Sequence, residues 1–411
     1  MSLGVRLVVS LVTISTLLTV VSWLVLRRIV TAFRLGKRGR VLATVALFVP
    51  LAATLLFRGI GFLAPPGFAE PAVVASSAFE AAVGLAGVAL LFAGLLRAVY
   101  RAGRRVGQGP MAAAREDAVE RAASIPPPPM HGEEAPAITR RVFVEQAIVG
   151  SAVVAGGTAA TYGAVFGRHD YELATVPVPI PGLPRAADGF TIVQLSDIHL
   201  GQMVGEAEMR AAEELVRRAK GDLVVLTGDL IDHDPRYVER LGRLVRRLAD
   251  VQRVIAIPGN HDYYTGIDAV LDTARKAGAT VLVNESIVTP EGLVIAGLDD
   301  HRGEPIGRGP NLARAVAGLH NDGPRVVLCH NPKEFLVTAG DCALMISGHT
   351  HGGQINVGLP VAEMVLRHGY IKGLYEERGS RLYVNRGFGT AGAAVRVGSP
   401  PEVTRIVLVA S

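Results

Sequence analysis

Five short apolar runs in the second half of the chain each end at residues of the kind that hold metal ions, and this rhythm limits the fold more than any other feature. The runs at 190–195, 223–226, 253–257, 326–329 and 343–346 are rich in Val, Ile and Leu, the pattern of short strands buried on both faces. They lead into Asp197-Ile198-His199, Gly228-Asp229-Leu230-Ile231-Asp232, Gly259-Asn260-His261-Asp262, His330-Asn331-Pro332 and Ser347-Gly348-His349-Thr350-His351-Gly352-Gly353-Gln354. Between the first two runs, Met209, Ala212, Leu215 and Ala219 recur at helical spacing over residues 205–220. Strands alternating with helices predict an α/β fold, and open α/β sheets carry their ligand-handling groups beyond the carboxyl ends of the strands.

The residue types at those ends suit divalent metals. Neutral imidazole ligates most transition metals, and a carboxylate beside it suits Mn, Fe or Zn. On an extended backbone, spacing i, i+2 projects Asp197 and His199 to one side, and likewise His349 and His351. Cys329 and His330 then point to opposite faces, His330 toward the site. Asp229, directly after a glycine at a strand end, reads as the chemical residue and Asp232 as its support. Plainer roles stay open for each: Asp197 capping a turn, Asp232 capping a helix that begins near Pro235, His261 a loop histidine with Asp262 as a chance neighbour. Further on, 281–283, 287–288 and 294–298 are short strands with no helix between them, which predicts a mixed or antiparallel sheet. Asp299, Asp300 and His301 read as a substrate-side loop, and residues 312–320 as a helix.

The amino-terminal part has another character. The apolar run 5–26, broken only by Arg6, is long enough for the roughly 30 Å hydrocarbon core of a bilayer. Runs 41–57 and 81–96 follow, giving three predicted spans within residues 1–105. Arg27, Arg28, Arg34, Lys37, Arg38 and Arg40 lie after the first run, and Arg97, Arg101, Arg104 and Arg105 after the third. Placing both Arg-rich segments in the cytoplasm puts the amino terminus and loop 64–75 outside. Residues 106–138, rich in Ala, Glu and Pro, predict a linker. Residues 139–169 then read in two ways: Thr139-Arg140-Arg141-Val142-Phe143-Val144 resembles a twin-arginine export signal, although Glu145 departs from it, or the segment is a fourth transmembrane helix. Either sends residues 170–411 to the extracytoplasmic side of the cytoplasmic membrane.

Charge and cysteine content narrow the partners. Residues 1–141 hold 16 Lys/Arg against 7 Asp/Glu, so the net +5 of the whole chain leaves the remaining 270 residues at −4. The basic balance belongs to membrane flanks, and nucleic-acid binding by the soluble part is not expected. With only Cys329 and Cys342, no disulfide framework and no thiolate-built zinc site is expected.

The whole succession of donors over residues 188–411 resembles the calcineurin-like metallophosphoesterase superfamily. Within it, the stretch Gly348 to Gln354, His330-Asn331-Pro332, the run Tyr383-Val384-Asn385-Arg386-Gly387-Phe388-Gly389-Thr390 and Ser399-Pro400-Pro401-Glu402 are similar to the membrane-associated branch of envelope phosphodiesterases and UDP-2,3-diacylglucosamine pyrophosphatase-like proteins. The resemblance implies a two-sheet mixed β-sandwich flanked by helices. It implies two divalent ions, one held by Asp197, His199 and His351, the other by Asn260, His330 and His349, with Asp229 bridging. His261 is then the group beside the leaving oxygen. Asp262 departs from the Glu that many members carry, and is expected to touch His261 through a shorter side chain. The implied activity is hydrolysis of a phosphomonoester, phosphodiester or pyrophosphate by hydroxide attack. Tethering to a bilayer and the apolar segment 359–366 suggest a lipid-linked envelope substrate, with Tyr370 and Tyr375 lining the pocket or only packing. Two alternatives are a non-catalytic metallophosphoesterase scaffold and the regulatory domain of a membrane sensor or transporter.

Overall fold

The computed structural model describes residues 3–63, 70–107, 138–319, 323–358, 364, 366 and 368–411. Most of the expected linker and of the apolar segment 359–366 lies outside the described residues. The chain divides into two compact units: Arg6–Ala52 with Phe79–Ala159, and Met1–Val5, Ala53–Ala78 and Ala160–Ser411.

The first unit is helical. Its helices belong to α1 (Leu3–Ala32), α2 (Lys37–Leu63), α3 (Glu70–Gly107) and α4 (Arg140–Val165). Helix α3 begins earlier than the run 81–96 and takes in the last residues of the expected loop 64–75. Among the described residues, three helices are long and apolar enough to cross a membrane, within Ser15–Ala32, Pro71–Gly103 and Arg140–His169. Val25, Ala32, Leu90, Val149 and Ala152 form a small core, while Leu17, Trp23, Leu42, Leu91, Leu95 and Val154 point outward. Gly156 lets α4 approach closely, since a Cβ there would meet the Ala86 nitrogen at 2.9 Å and the Ala82 carbonyl oxygen at 3.0 Å. Apolar side chains outside and small residues at helix contacts are what a lipid solvent selects.

The second unit is a sandwich of two mixed sheets. One runs in the order β1 (Glu172–Ile180), β12 (Glu402–Ala410), β2 (Thr191–Leu195), β3 (Leu223–Thr227), β4 (Val254–Ile257), β5 (Thr280–Val281). The other runs β10 (Gly373–Glu377), β11 (Ser380–Val384), β9 (Leu344–Ser347), β8 (Arg325–Leu328), β7 (Val294–Gly297), β6 (Glu285–Val288). Strands β2 to β5 are parallel to one another, as are β7, β8, β9 and β11. The antiparallel pairs are β6 with β7 and β10 with β11, where no helix connects the strands, and β12 with β2.

Side-chain alternation separates two cores in each sheet. In β2, β3 and β4, Val193, Leu195, Val224, Leu226, Val254 and Ala256 face α5 (Glu206–Ala219), α6 (Val238–Ala249) and α8 (Ile267–Lys276). Their neighbours Ile192, Leu223, Val225, Ile255 and Ile257 meet Val326, Leu328, Leu344 and Ile346 of the second sheet. Val327, Cys329, Met345 and Leu382 turn to the far side, against Phe335 and Tyr370. Tyr370 and Tyr375 therefore pack in that core, 5.2 Å apart between ring centres. The helix expected at 312–320 is only Leu312–Ala315, because Asn311 caps its start and Gly318, at φ +76°, turns the chain away. Asp234, not Asp232, caps the turn at Pro235 by accepting from the Arg236 N–H.

Candidate metal centre

Carboxyl ends of β2, β3, β4, β8 and β9 deliver the polar residues to one place. Three sets of donor atoms lie within 4.8 Å of one another: Asp197, His199 and His351; His199, Asp229 and His261; Asp229, His330 and His349. The Asp229 carboxylate reaches two of the histidines with one oxygen, Oδ2 being 3.6 Å from His199 Nε2 and 3.2 Å from His330 Nε2. His351 Nε2 stands 3.4 Å from Asp197 Oδ1. All eight residues singled out in the sequence are described, and the seven titratable ones gather in these overlapping sets. Asn260 follows β4 at the head of α7 (Asn260–Thr265), beside His261, whose N–H donates to Asp229 Oδ1 at 2.7 Å.

The backbone that holds them is not extended. Asp197, His199, Asp229, His349 and His351 all have positive φ, from 51° to 73°. Left-handed backbone costs a non-glycine residue roughly 1–2 kcal/mol, so the same-side projection expected from strand geometry is replaced by strained turns. Hydrogen bonds between strand ends secure those turns. Asp197 N–H donates to Gly228 O at 3.1 Å, His199 N–H to Asp229 O at 3.0 Å and His349 N–H to both Asp197 carboxylate oxygens at 3.0 Å. Ser196 Oγ donates to Asp197 Oδ2 at 2.6 Å. Glycine is required where these turns touch: a Cβ on Gly348 would run into the Ser196 hydroxyl and the Asp197 carboxylate, and one on Gly259 into Asp229.

Asp262 does not touch the His261 ring as expected. Its Oδ1 accepts from the N–H groups of Leu230 and Ile231 at 2.9 and 3.2 Å, and its Oδ2 from Gly259 N–H at 2.8 Å. It ties the loop carrying Asp229 to the loop carrying Asn260. Burial, with the Asp229 charge adding to it, pushes its carboxyl up to about 7. The acidic partner of His261 is Asp232, whose Oδ1 lies 3.2 Å from His261 Nδ1.

Proton affinities differ sharply around the pocket. Burial lowers His199 to about 3 and His349 to about 4, and it takes His351 well below its usual value with the Arg396 charge adding to the effect. For His330, burial is outweighed by the Asp229 carboxylate, which raises it well above the ordinary imidazole range. For Asp229, burial is outweighed by His330, His261 and His199, which hold it well below the usual carboxylate range. His261 is raised, because Asp229 and Asp232 overcome its burial.

The unpartnered polar atoms of the set fit divalent cations. His199 Nε2 faces His351 Nε2 at 3.0 Å, and His349 Nδ1 faces His330 Nε2 at 3.3 Å, so ring nitrogens able to ligate a cation converge in pairs. The Asn260 carboxamide oxygen is buried without a hydrogen-bond partner. Buried polar atoms of that kind are rare unless a bound group satisfies them.

Arg396 was not marked by the sequence. It is fully buried, donates to the carbonyls of Arg386, Gly387, Gly389 and Ser399, and has a nitrogen 3.2 Å from His351 Nδ1. Nothing in its local pattern separates it from an exposed arginine. Asp299, expected in a substrate-side loop, accepts from the Tyr263 hydroxyl at 2.6 Å and lines a cavity of about 520 Å³ with Asn284, Glu304, Arg308, Asn311 and Arg314.

A family model described as calcineurin-like phosphoesterase matches residues 190–353. The chain is 31% identical over 276 residues to a transmembrane protein with metallophosphoesterase domain from Danio rerio, covering 62% of this chain and 62% of that protein. It is 32% identical over 287 residues to an uncharacterized metallophosphoesterase of Bacillus subtilis, covering 66% of this chain and 98% of that one. An uncharacterized metallophosphoesterase of Aquifex aeolicus is 30% identical over 230 residues, covering 55% of this chain and 87% of its own. The chain thus spans under two thirds of the Danio rerio protein and nearly all of the Bacillus subtilis one.

Proposed function

The chain belongs to the calcineurin-like phosphoesterase family, and from that premise we propose that it is a membrane-anchored hydrolase of phosphoesters with a binuclear metal centre. The carrying observation is Asp229, a single buried carboxylate shared between two groups of histidines. A shared anion is what two mutually repelling cations need, and a neutral imidazole would serve that position less well. Asp197, His199 and His351 would hold one ion, Asn260, His330 and His349 the other, and Asp229 both. Divalent ions there supply charge against the phosphoryl oxygens and a water acidic enough to attack phosphorus near neutral pH.

The chain's own residues do the rest. Asp262 and the Asp197 carboxylate fix the loops by accepting backbone N–H groups, so the donors are held before substrate arrives. His261, whose proton affinity is raised by Asp229 and Asp232, would donate a proton to the departing oxygen, and Asp232 positions its ring. The substrate class is a phosphomonoester, phosphodiester or pyrophosphate. Anchoring by residues 1–105 and by residues 139–169, as a signal or a fourth span, favours a lipid-linked phosphoester on the extracytoplasmic side of the membrane.

The test is hydrolysis of bis(p-nitrophenyl) phosphate and of p-nitrophenyl phosphate by the full chain in detergent, with and without Mn²⁺. Asp229→Asn is expected to lower kcat/KM by about a thousandfold, on the order of 4 kcal/mol of barrier, and to reduce bound metal. Asp232→Asn is expected to lose about tenfold to a hundredfold with metal retained. Activity that persists without metal or without Asp229 overturns the reading.

A further inference from the structure

Beyond the two positions assigned above, Asp232 Oδ1 sits among three imidazole nitrogens. It lies 2.7 Å from His233 Nδ1, 3.2 Å from His261 Nδ1 and 3.9 Å from His199 Nδ1. Asp232, His233 and His261 each offer one donor atom, all within 4.8 Å of one another. Asp232 Oδ1, His261 Nδ1 and His199 Nδ1 are buried, and none of them makes an aligned hydrogen bond. The His199 ring, wholly buried, turns that nitrogen toward Asp232 and its other nitrogen toward the metal pocket. A cation placed among these atoms would give each of them a partner.

We propose that Asp232, His233 and His261 form a third cation site, of the zinc class, whose occupancy switches the hydrolase off. Two imidazoles and one carboxylate with an open fourth position are a donor set that zinc accepts. The open side is toward solvent, since the His233 side chain is 38% exposed against 15% for His261. The rings of His233 and His261 are 4.5 Å apart at 69°, so the two Nδ1 atoms approach one point from different directions. Zinc here takes the Nδ1 lone pair of His261 and the Asp232 oxygen that orients it. With both atoms held by the ion, the ring loses the carboxylate contact that orients it toward the leaving oxygen. The inference rests on the role of His261 in the proposed reaction, and it adds an inhibitory site outside the pair of ions that the reaction needs.

The probe is Zn²⁺ alone, added to full-length protein in detergent already saturated with Mn²⁺. Wild type is expected to bind one further equivalent by calorimetry and by elemental analysis after gel filtration, and to lose activity over the same range of zinc. His233→Ala is expected to keep its Mn²⁺ content and its zinc-free activity within about twofold, and to need at least tenfold more zinc for half inhibition. His233→Cys, which replaces one zinc donor by another, is expected to restore the response. No further equivalent in wild type, or the same inhibition in His233→Ala, overturns the third site. Those results leave Asp229-dependent hydrolysis untouched, so they are distinguishable from failure of the hydrolase reading itself.

Discussion

The two donor clusters that share Asp229 are built from the same residue types yet differ in how one histidine binds protons. Around Asp197, both histidines are depressed: His199 to about 3 by burial, and His351 well below its usual value by burial and by Arg396. Around Asp229, His330 is raised by that carboxylate, while burial and the charge on His330 keep its neighbour His349 at about 4. Composition does not set this difference. Asp229 acts to raise histidines of both clusters, but at His199 and His351 burial outweighs it, with Arg396 adding to burial at His351, while at His330 it is joined by Asp197 and Asp300 and prevails. The first cluster is therefore ready for a cation at neutral pH, and the second must release a proton to take one.

The largest effect that tests the comparison is deletion of one donor from each cluster. His351→Ala and His330→Ala are each expected to bind about one metal equivalent in place of two and to lose about a thousandfold in kcat/KM, roughly 4 kcal/mol. Elemental analysis of the gel-filtered variants gives the counts. If either variant keeps both equivalents, the two clusters are not separate positions.

Next in size is the pH dependence. A proton and a cation compete for His330, so affinity at the second cluster rises with pH until the raised value of His330 is passed. Between pH 5.5 and 7.5 it is expected to fall about tenfold for each unit of acidification, the slope for one competing proton. The first cluster, with His199 protonating only near 3, is expected to be almost flat over that range. Calorimetry of Mn²⁺ binding in buffers of different ionisation enthalpy reads the proton release directly. Equal slopes for the two steps would erase the distinction.

Much of this arrangement is legible in the sequence because it follows from periodicity. The alternation in β2, β3 and β4 that divides Val193 and Leu195 from Ile192 is a period of two, and the donors stand at the strand ends where the runs stop. What stays hidden depends on contacts distant along the chain. Left-handed backbone at Asp197, His199, Asp229, His349 and His351 is only weakly signalled by residue type, Asp and His being among the side chains that tolerate it best, and is imposed by hydrogen bonds between loops far apart in sequence. Asp262 reads as a neighbour of His261 but spends both carboxylate oxygens on N–H groups of two other loops. Helix Leu312–Ala315 stops early although the apolar spacing continues, since Gly318 takes a positive φ.

Arg396 supplies the smallest effect and the sharpest test of why the clusters differ. A buried guanidinium has donors only, and here they are spent on four carbonyls and on the Nδ1 side of His351. Burial lowers Arg396 itself to about 10, still far above neutrality, so its charge faces the first cluster throughout the working range. Arg396→Met removes that charge and lets the affinity of His351 for protons rise. Metal binding at the first cluster should then become pH-dependent, several-fold weaker at pH 6 than at pH 8, where wild type shows little change. The variant should also lose on the order of 1–3 kcal/mol of stability, because carbonyls buried around the guanidinium are left without donors. Arg396→Lys keeps a charge but not the fork of donors, so it should retain the flat pH response while sharing the stability loss. A variant that loses stability with no change in the pH response assigns Arg396 to the fold alone, and the contrast between the clusters would then rest on burial.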